Sequence, residues 1–594
     1  MIQRLDFEAL RLTAEHPEDR PYVIAGKRMY AIGMMSGAPP RLGDEHLVGE
    51  MGGLWAHPIK ALEHWGAQIA GAQACALEFH SAFWCITRVR VYDNGLVLRE
   101  QEWIDEDRPV MLVRVTVTNE GEAACSAQVI YEVAPRLRPC WMSPQADGRD
   151  VATWSATGLV AFDAAHPEWA VAVVVEGGMV RTVTLNPGES VQFRAAIAVT
   201  DHGGEHAART QARAALQSMD ARMEHKRSVY RAALRPDLPP RDDLDAAYRC
   251  ALLNIKLLEA DYPAGHYPLA GLPEYPNLFG CDVAYSVPGL CLAGRSDLAI
   301  DALRALRAVM LRQCGRTPHE VLPDGNVFHS GNTQESAQFV IAAWRACTLV
   351  GDRGRLAREF YPACRAAMLN YMRSAALRRD SPFPNYPAGD AMVEREGMLP
   401  LKLDSVCYTW RALQDLAAMA RSLNGVERDA LFDYAADAEE AQAWADRIAA
   451  SFEHDWWIES EGLYADSLGW DGTRRLDRHW TQIVPLEVGI ARPDRAERVL
   501  DALERGWLNE YGLPHTQGVD SRVWTLGNGI LACVAARHGR RALARRLLGG
   551  IALTLTAGGQ LGLYEELTPH GLCFIQLWSA ALFVEAYTAL HSSL

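Results

Sequence analysis

Two short stretches hold carboxylates in settings where they could exchange protons. Residues 381–398 (SPFPNYPAGDAMVEREGM) carry Asp390, Glu394 and Glu396 in a Pro/Gly-rich segment beside Tyr386, Met392 and Met398. A carboxyl against apolar neighbours keeps its proton to higher pH, as a general acid must. Residues 562–573 (GLYEELTPHGLC) carry Glu565 and Glu566 ahead of a helix that the pattern starts near Phe574. A carboxylate kept ionised there could take a proton from water. Two carboxyls flanking one bond are the equipment for glycosidic cleavage, with inversion at about 6.5–9.5 Å separation and retention at about 5–5.5 Å. On composition alone, a glutamate in either stretch is more often a helix cap or a solvated charge.

The loops around these stretches share their chemistry. Residues 261–280, 315–332, 379–398, 456–479, 512–529 and 561–573 combine Gly and Pro with Trp, Tyr, His and carboxylates. Aromatic faces stack on the apolar face of a sugar ring, while carboxylates, His and Asn bond its hydroxyls. A pocket mixing the two suits a carbohydrate. One such loop would be an ordinary turn; a succession of them points to one shared pocket.

Those loops must be positioned by helices. Apolar residues recur with a period near 3.6 over residues 242–260, 297–313, 335–350, 357–377, 404–423, 435–452, 494–505 and 540–555, each with an Arg/Asp/Glu face opposite. The alternation of helix pairs and loops every 40 to 60 residues predicts a closed ring of helix hairpins around a central pit. Up to about residue 200 the period is near two, which predicts a β-sandwich. Residues 109–130 alternate on both sides of an Asn-Glu-Gly turn and read as a hairpin; residues 170–175 and 190–199 read as further strands. A charged helical stretch over 205–233 and the Pro-rich segment from Arg235 join the halves. The division expected is a sandwich over 1–203, a helical linker over 204–240 and a catalytic helical unit over 241–594.

Four segments resemble glycogen-debranching amylo-α-1,6-glucosidases, within the glucoamylase-like six-hairpin glycoside hydrolases. They are Phe279-Gly-Cys-Asp282 running on to Val287-Pro-Gly-Leu; Gly315-Arg-Thr-Pro-His319-Glu320 followed by Asn332-Thr-Gln-Glu335; Ala391-Met-Val-Glu394; and Glu566-Leu-Thr-Pro with Gln576-Leu-Trp578-Ser. Their order is kept across roughly residues 240–594. The resemblance implies an (α/α)6 barrel and single-displacement hydrolysis with inversion. Glu394 would be the general acid, Glu566 the base, and Asp282 a partner of the sugar hydroxyls in the −1 subsite. His319, Asn332, Glu335 and Trp480 would line the pocket. An alignment run back from Trp578 selects Glu566 as the base and one spaced from Pro569 selects Glu565, while an acid just before the Val-Glu pair nominates Asp390. Cys281 stands where many members have Arg, which removes a hydroxyl contact and departs from glycogen specificity.

Bulk properties narrow the partners. The chain has 594 residues, 49% hydrophobic and 22% charged, with a net charge of −15. That acidity disfavours nucleic acid and anionic membrane as partners and is compatible with a neutral sugar. The first residues show no signal-peptide pattern, so a cytoplasmic protein is expected, of a size compatible with a homodimer. Thirteen cysteines lie scattered without a CxxC pair, and His319, His479 and His515 are far apart in sequence, so no metal or organic cofactor is expected. The activity expected is that of an inverting, exo-acting α-glycosidase on a small oligosaccharide or glycosylated metabolite. Its rivals are a disaccharide phosphorylase of the same fold and a non-catalytic sugar-binding protein.

Overall fold

The computed structural model describes residues 12–15, 20–39, 51–146, 148–235, 242–386, 396–425, 431–556, 560–568 and 573–592. Their first third is sheet and the remainder is helical. Among the described residues, the period-two region forms a nine-stranded and a six-stranded antiparallel sheet. Strand Ser190–Thr200 pairs with Ala170–Val175 on one side and Val110–Asn119 on the other. Trp65 and Tyr131 from the smaller sheet meet Val113 and Ile197 from the larger in one buried apolar core.

The hairpin expected over residues 109–130 does not form. Val110–Asn119 lies in the larger sheet, against Leu96–Ile104 and Ser190–Thr200, whereas Cys125–Pro139 lies in the smaller, against Ile59–Ile69 and Val180–Leu185. Alternation reports that each strand has one buried face and is silent on its partner. Here both apolar faces enter the same core from opposite sheets.

Helices α1 (Gly204–Gln217) and α2 (Met219–Ala233) follow the last strand of the larger sheet, and α1 packs on Ala170–Val175 and Ser190–Thr200. The helical part then runs through α3 (Asp245–Leu257), α4 (Gly280–Leu292), α5 (Ser296–Arg312), α6 (Thr333–Leu349), α7 (Arg353–Arg365), α8 (Leu403–Leu423), α9 (Tyr434–Trp456), α10 (Val484–Val488), α11 (Pro493–Gly506), α12 (Thr525–Arg537), α13 (Arg541–Ala552) and α14 (Leu577–His591). From α4 onward the even-numbered helices pack in a circuit: α4 on α6, α6 on α8, α8 on α10, α10 on α12, α12 on α14, and α14 back on α4.

The two sets bury different surfaces. Helix α11 hides only Ala496, Val499, Leu500 and Leu503, a single stripe, as a helix on the outside of a bundle does. In α12 every residue from Thr525 to Ala536 is buried. Contacts within the circuit are close: a Cβ on Gly289 of α4 would lie 2.0 Å from the Ala581 carbonyl oxygen of α14. The sheet and helical parts are pinned by charge and by side-chain amides. Glu106, fully buried, faces Lys226 of α2 at 3.6 Å and pairs with Lys256 of α3. Gln560 accepts from the Val23 backbone N–H and donates to Ser81. No helix among the described residues is long and apolar enough to cross a membrane.

Candidate active site

The N-terminal ends of the circuit helices carry Asp282, Asn332 and Glu335. Short strands lead into four of them: Leu278–Phe279 into α4, Leu401–Lys402 into α8, Val523–Trp524 into α12 and Ile575–Gln576 into α14. Each pairs with a strand from another loop, respectively Glu320–Val321, Ser467–Leu468, Glu566–Thr568 and Gly271–Leu272. Loops distant in sequence are thereby stitched together. Asp282, Glu335 and Asp404 stand in the first turns of α4, α6 and α8, where the helix dipole favours a carboxylate.

Asp282 is buried. Its Oδ1 accepts from Gln576 Nε2 at 2.8 Å and its Oδ2 from the Cys281 thiol at 3.1 Å. Burial pushes its pKa up to about 6, and Glu335 adds to the rise while His319 opposes it. His319 Nδ1 lies 2.5 Å from Glu335 Oε1 and 3.9 Å from Cys281 Sγ. Burial opposes protonation of His319, but the Glu335 carboxylate outweighs it and raises the imidazole above its ordinary value. Glu335 has a second duty: with Asn332 it forms a capping box at the start of α6, its Oε2 accepting from the Asn332 N–H at 2.7 Å. Asn332 therefore acts first on the helix terminus.

Glu565 and Glu566 are neighbours in sequence with different surroundings. The Glu565 side chain belongs to the Asp282 group. Burial pushes its pKa up to about 8, the charges of Asp282, Glu274 and Glu566 add to the rise, and a hydrogen bond with Tyr275 opposes it. Its backbone carbonyl accepts from both the N–H and the hydroxyl of Thr525, the first residue of α12. Glu566 Oε1 instead accepts from Trp524 Nε1 at 2.7 Å and lies 3.7 Å from Arg522, itself paired with Asp520 at 2.7 Å. Trp524 packs edge-on against His515, whose Nε2 is 3.3 Å from that of His479.

The remaining expectations divide. Asp390 and Glu394 lie outside the described residues. Trp480 opens the short 3-10 turn before α10, is 2% exposed and packs on Gly527. The residues brought together are thus Asp282, His319, Glu335 and Glu565, with Asn332 behind them. Sequence reasoning missed Tyr275 and assigned no role to Gln576, although both lie in segments it had marked. It also read Cys281 only as a lost arginine, whereas the thiol closes the Asp282–His319–Glu335 group. The atoms that could ligate a metal in Cys281, His319 and Glu335 all lie within 4.8 Å of one another.

No protein-family model matches the chain, and no curated protein sequence matches it. Solved structures do. A bacterial glucoamylase in complex with acarbose is 11% identical, with 97% of this chain and 96% of that one covered and a TM-score of 0.61. A protein described as a kojibiose phosphorylase from the human microbiome is 9% identical, with 98% and 89% covered and a TM-score of 0.64. At such identities the likeness is one of fold. Both are members of the six-hairpin glycosidase superfamily, and this chain shares their fold from the sheets through to the last helix.

Proposed function

We propose that the chain is an inverting, exo-acting glycoside hydrolase with a substrate pocket at the N-terminal ends of the circuit helices. The circuit of even-numbered helices, with the odd-numbered ones between them in sequence, is read as the inner and outer rings of an (α/α)6 barrel. The catalytic unit is taken as residues 241–594. One observation carries the activity: a carboxyl group of buried Asp282 and half-buried Glu565, closed by Tyr275 and Gln576, at the end where the loops converge. Asp282 holds hydroxyls of the terminal sugar. Glu565 shares its surroundings and, once ionised, is the base that deprotonates water for attack at the anomeric carbon, so turnover rises with pH as its carboxyl loses the proton that burial holds to about pH 8. Glu566 faces Trp524 and Arg522 and positions that wall. The general acid comes from the loop holding Asp390 and Glu394. The substrate is a small α-linked oligosaccharide or a glycosylated metabolite.

Removing the base while keeping its shape tests the assignment. Glu565→Gln is expected to lower kcat by about 10²–10⁴-fold with sugar binding retained, and Glu566→Gln to lower it far less. Turnover of both variants, with binding followed by calorimetry, checks this. The reverse order would make Glu566 the base; full activity in both would remove the pair from catalysis.

A further inference from the structure

We propose that Cys281, His319 and Glu335 form a binding site for one divalent cation of the zinc class, with Asp282 beside it as a partner of the thiol. Cys281 Sγ, His319 Nδ1 and Glu335 Oε1 lie within 4.8 Å of one another. Asp282 Oδ2 is 3.1 Å from the sulfur, the imidazole nitrogen 3.9 Å from the sulfur, and Glu335 Oε1 2.5 Å from that nitrogen. Bonds of about 2.0–2.3 Å in a tetrahedral zinc site set donors about 3.3–3.6 Å apart, within the observed spread. Thiolate and imidazole together select zinc-like ions over magnesium or calcium.

The second oxygen of each carboxylate is already held. Glu335 Oε2 takes the Asn332 N–H at 2.7 Å, and Asp282 Oδ1 takes Gln576 Nε2 at 2.8 Å. Each carboxylate is thereby turned so that its other oxygen faces the sulfur and the imidazole, as the outer partners of a metal site do. Backbone bonds fix the His319 strand as well, with its carbonyl accepting from Gly280 and its N–H donating to His329. Three of the four residues are buried, and His319, with its side chain 25% exposed, lies on the side open to entry. Without metal, the thiol proton bonds Asp282 and the Nδ1 proton bonds Glu335. The cation takes the place of the thiol proton, which is released, while a neutral His319 moves its proton to Nε2 and frees Nδ1 for the metal.

The proposal does not rest on glycoside cleavage and is tested without it. The full chain, freed of metal by a chelator, is titrated with Co²⁺. The expected result is one Co²⁺ per chain, with a near-ultraviolet sulfur-to-cobalt band and the visible bands of a four-coordinate ion, displaced by one equivalent of Zn²⁺. Cys281→Ser should remove the sulfur band. His319→Gln, at the least buried of these positions, should weaken binding by about 100-fold or more, with a far-ultraviolet spectrum like the parent's checking that the fold is kept. Cys314→Ser, at an exposed thiol elsewhere, should change neither. No band at one equivalent, a band surviving in Cys281→Ser, unaltered affinity in His319→Gln, or a band lost in Cys314→Ser would overturn the proposal.

Discussion

Glu565 and Glu566 differ by environment alone, and the difference has a consequence for stability. The Glu565 carboxyl keeps its proton to about pH 8 in the folded chain, against an ordinary value of 4.5. Below about pH 4.5 folded and unfolded chains are both protonated, and the stabilisation from burying a neutral carboxyl is complete. As pH rises towards 8 the unfolded chain ionises first, and that stabilisation is lost. Asp282, raised from 3.8 to about 6, acts in the same direction over a lower window. Glu565→Gln has no proton to lose there, so its Tm relative to the parent should rise from about pH 4.5 to about pH 8. Thermal unfolding of both proteins at those two pH values checks it; a difference that ignores pH would contradict the burial of this carboxyl. At this scale the sequence was informative wherever a residue sat in a recognisable segment, as Asp282, Glu335 and Glu565 do. It could not show that Cys281, His319 and Glu335 meet, because a search for ligands close in sequence cannot join positions 281, 319 and 335. Nor could it separate Glu565 from Glu566, since adjacent residues take their roles from what each side chain faces.

Among elements, amphipathic helices were legible and fully buried ones were not. The stripes of α5, α8, α9, α11 and α13 stand out in the sequence. Most of α4 reads as a motif and the first turn of α12 as loop, with the rest of α12 unassigned, because a helix buried on every face leaves no polar side to set the period. The misplaced hairpin has a similar origin, since a strand's alternation fixes its faces and not its neighbour. Close packing of the buried helices predicts sensitivity at Gly289. A methyl there would meet the Ala581 carbonyl at 2.0 Å, and Gly289→Ala should cost about 1–3 kcal/mol, seen as a lower urea midpoint with unchanged slope. An unchanged midpoint would mean that α4 and α14 do not approach so closely. The seam between sheets and helices depends on charge instead. Glu106→Gln would remove the carboxylate that faces buried Lys226, while Lys256 keeps Glu259 at 2.9 Å, and should destabilise by about 3–5 kcal/mol in the same assay. A loss below 1 kcal/mol would show that Lys226 finds another partner.

For the whole molecule, the order of elements was legible and their closure was not. Period two giving way to period 3.6 near residue 200 marks the change from sheet to helix, as observed. The return of α14 to α4 depends on contacts between residues nearly 300 positions apart, such as Gln576 with Asp282, beyond any local pattern. That closure brings the last loop, with Glu565, over the first turn of α4. It is the physical basis for placing a sugar between Asp282 and Glu565, and for expecting water rather than phosphate as the attacking group, since Arg522 is already paired with Asp520. The most direct measurement is proton NMR of the products released from a panel of α- and β-linked disaccharides, with and without phosphate. The predicted result is hydrolysis without phosphate, with the anomer opposite to that of the substrate appearing first. First appearance of the same anomer, or release only when phosphate is present, would contradict it.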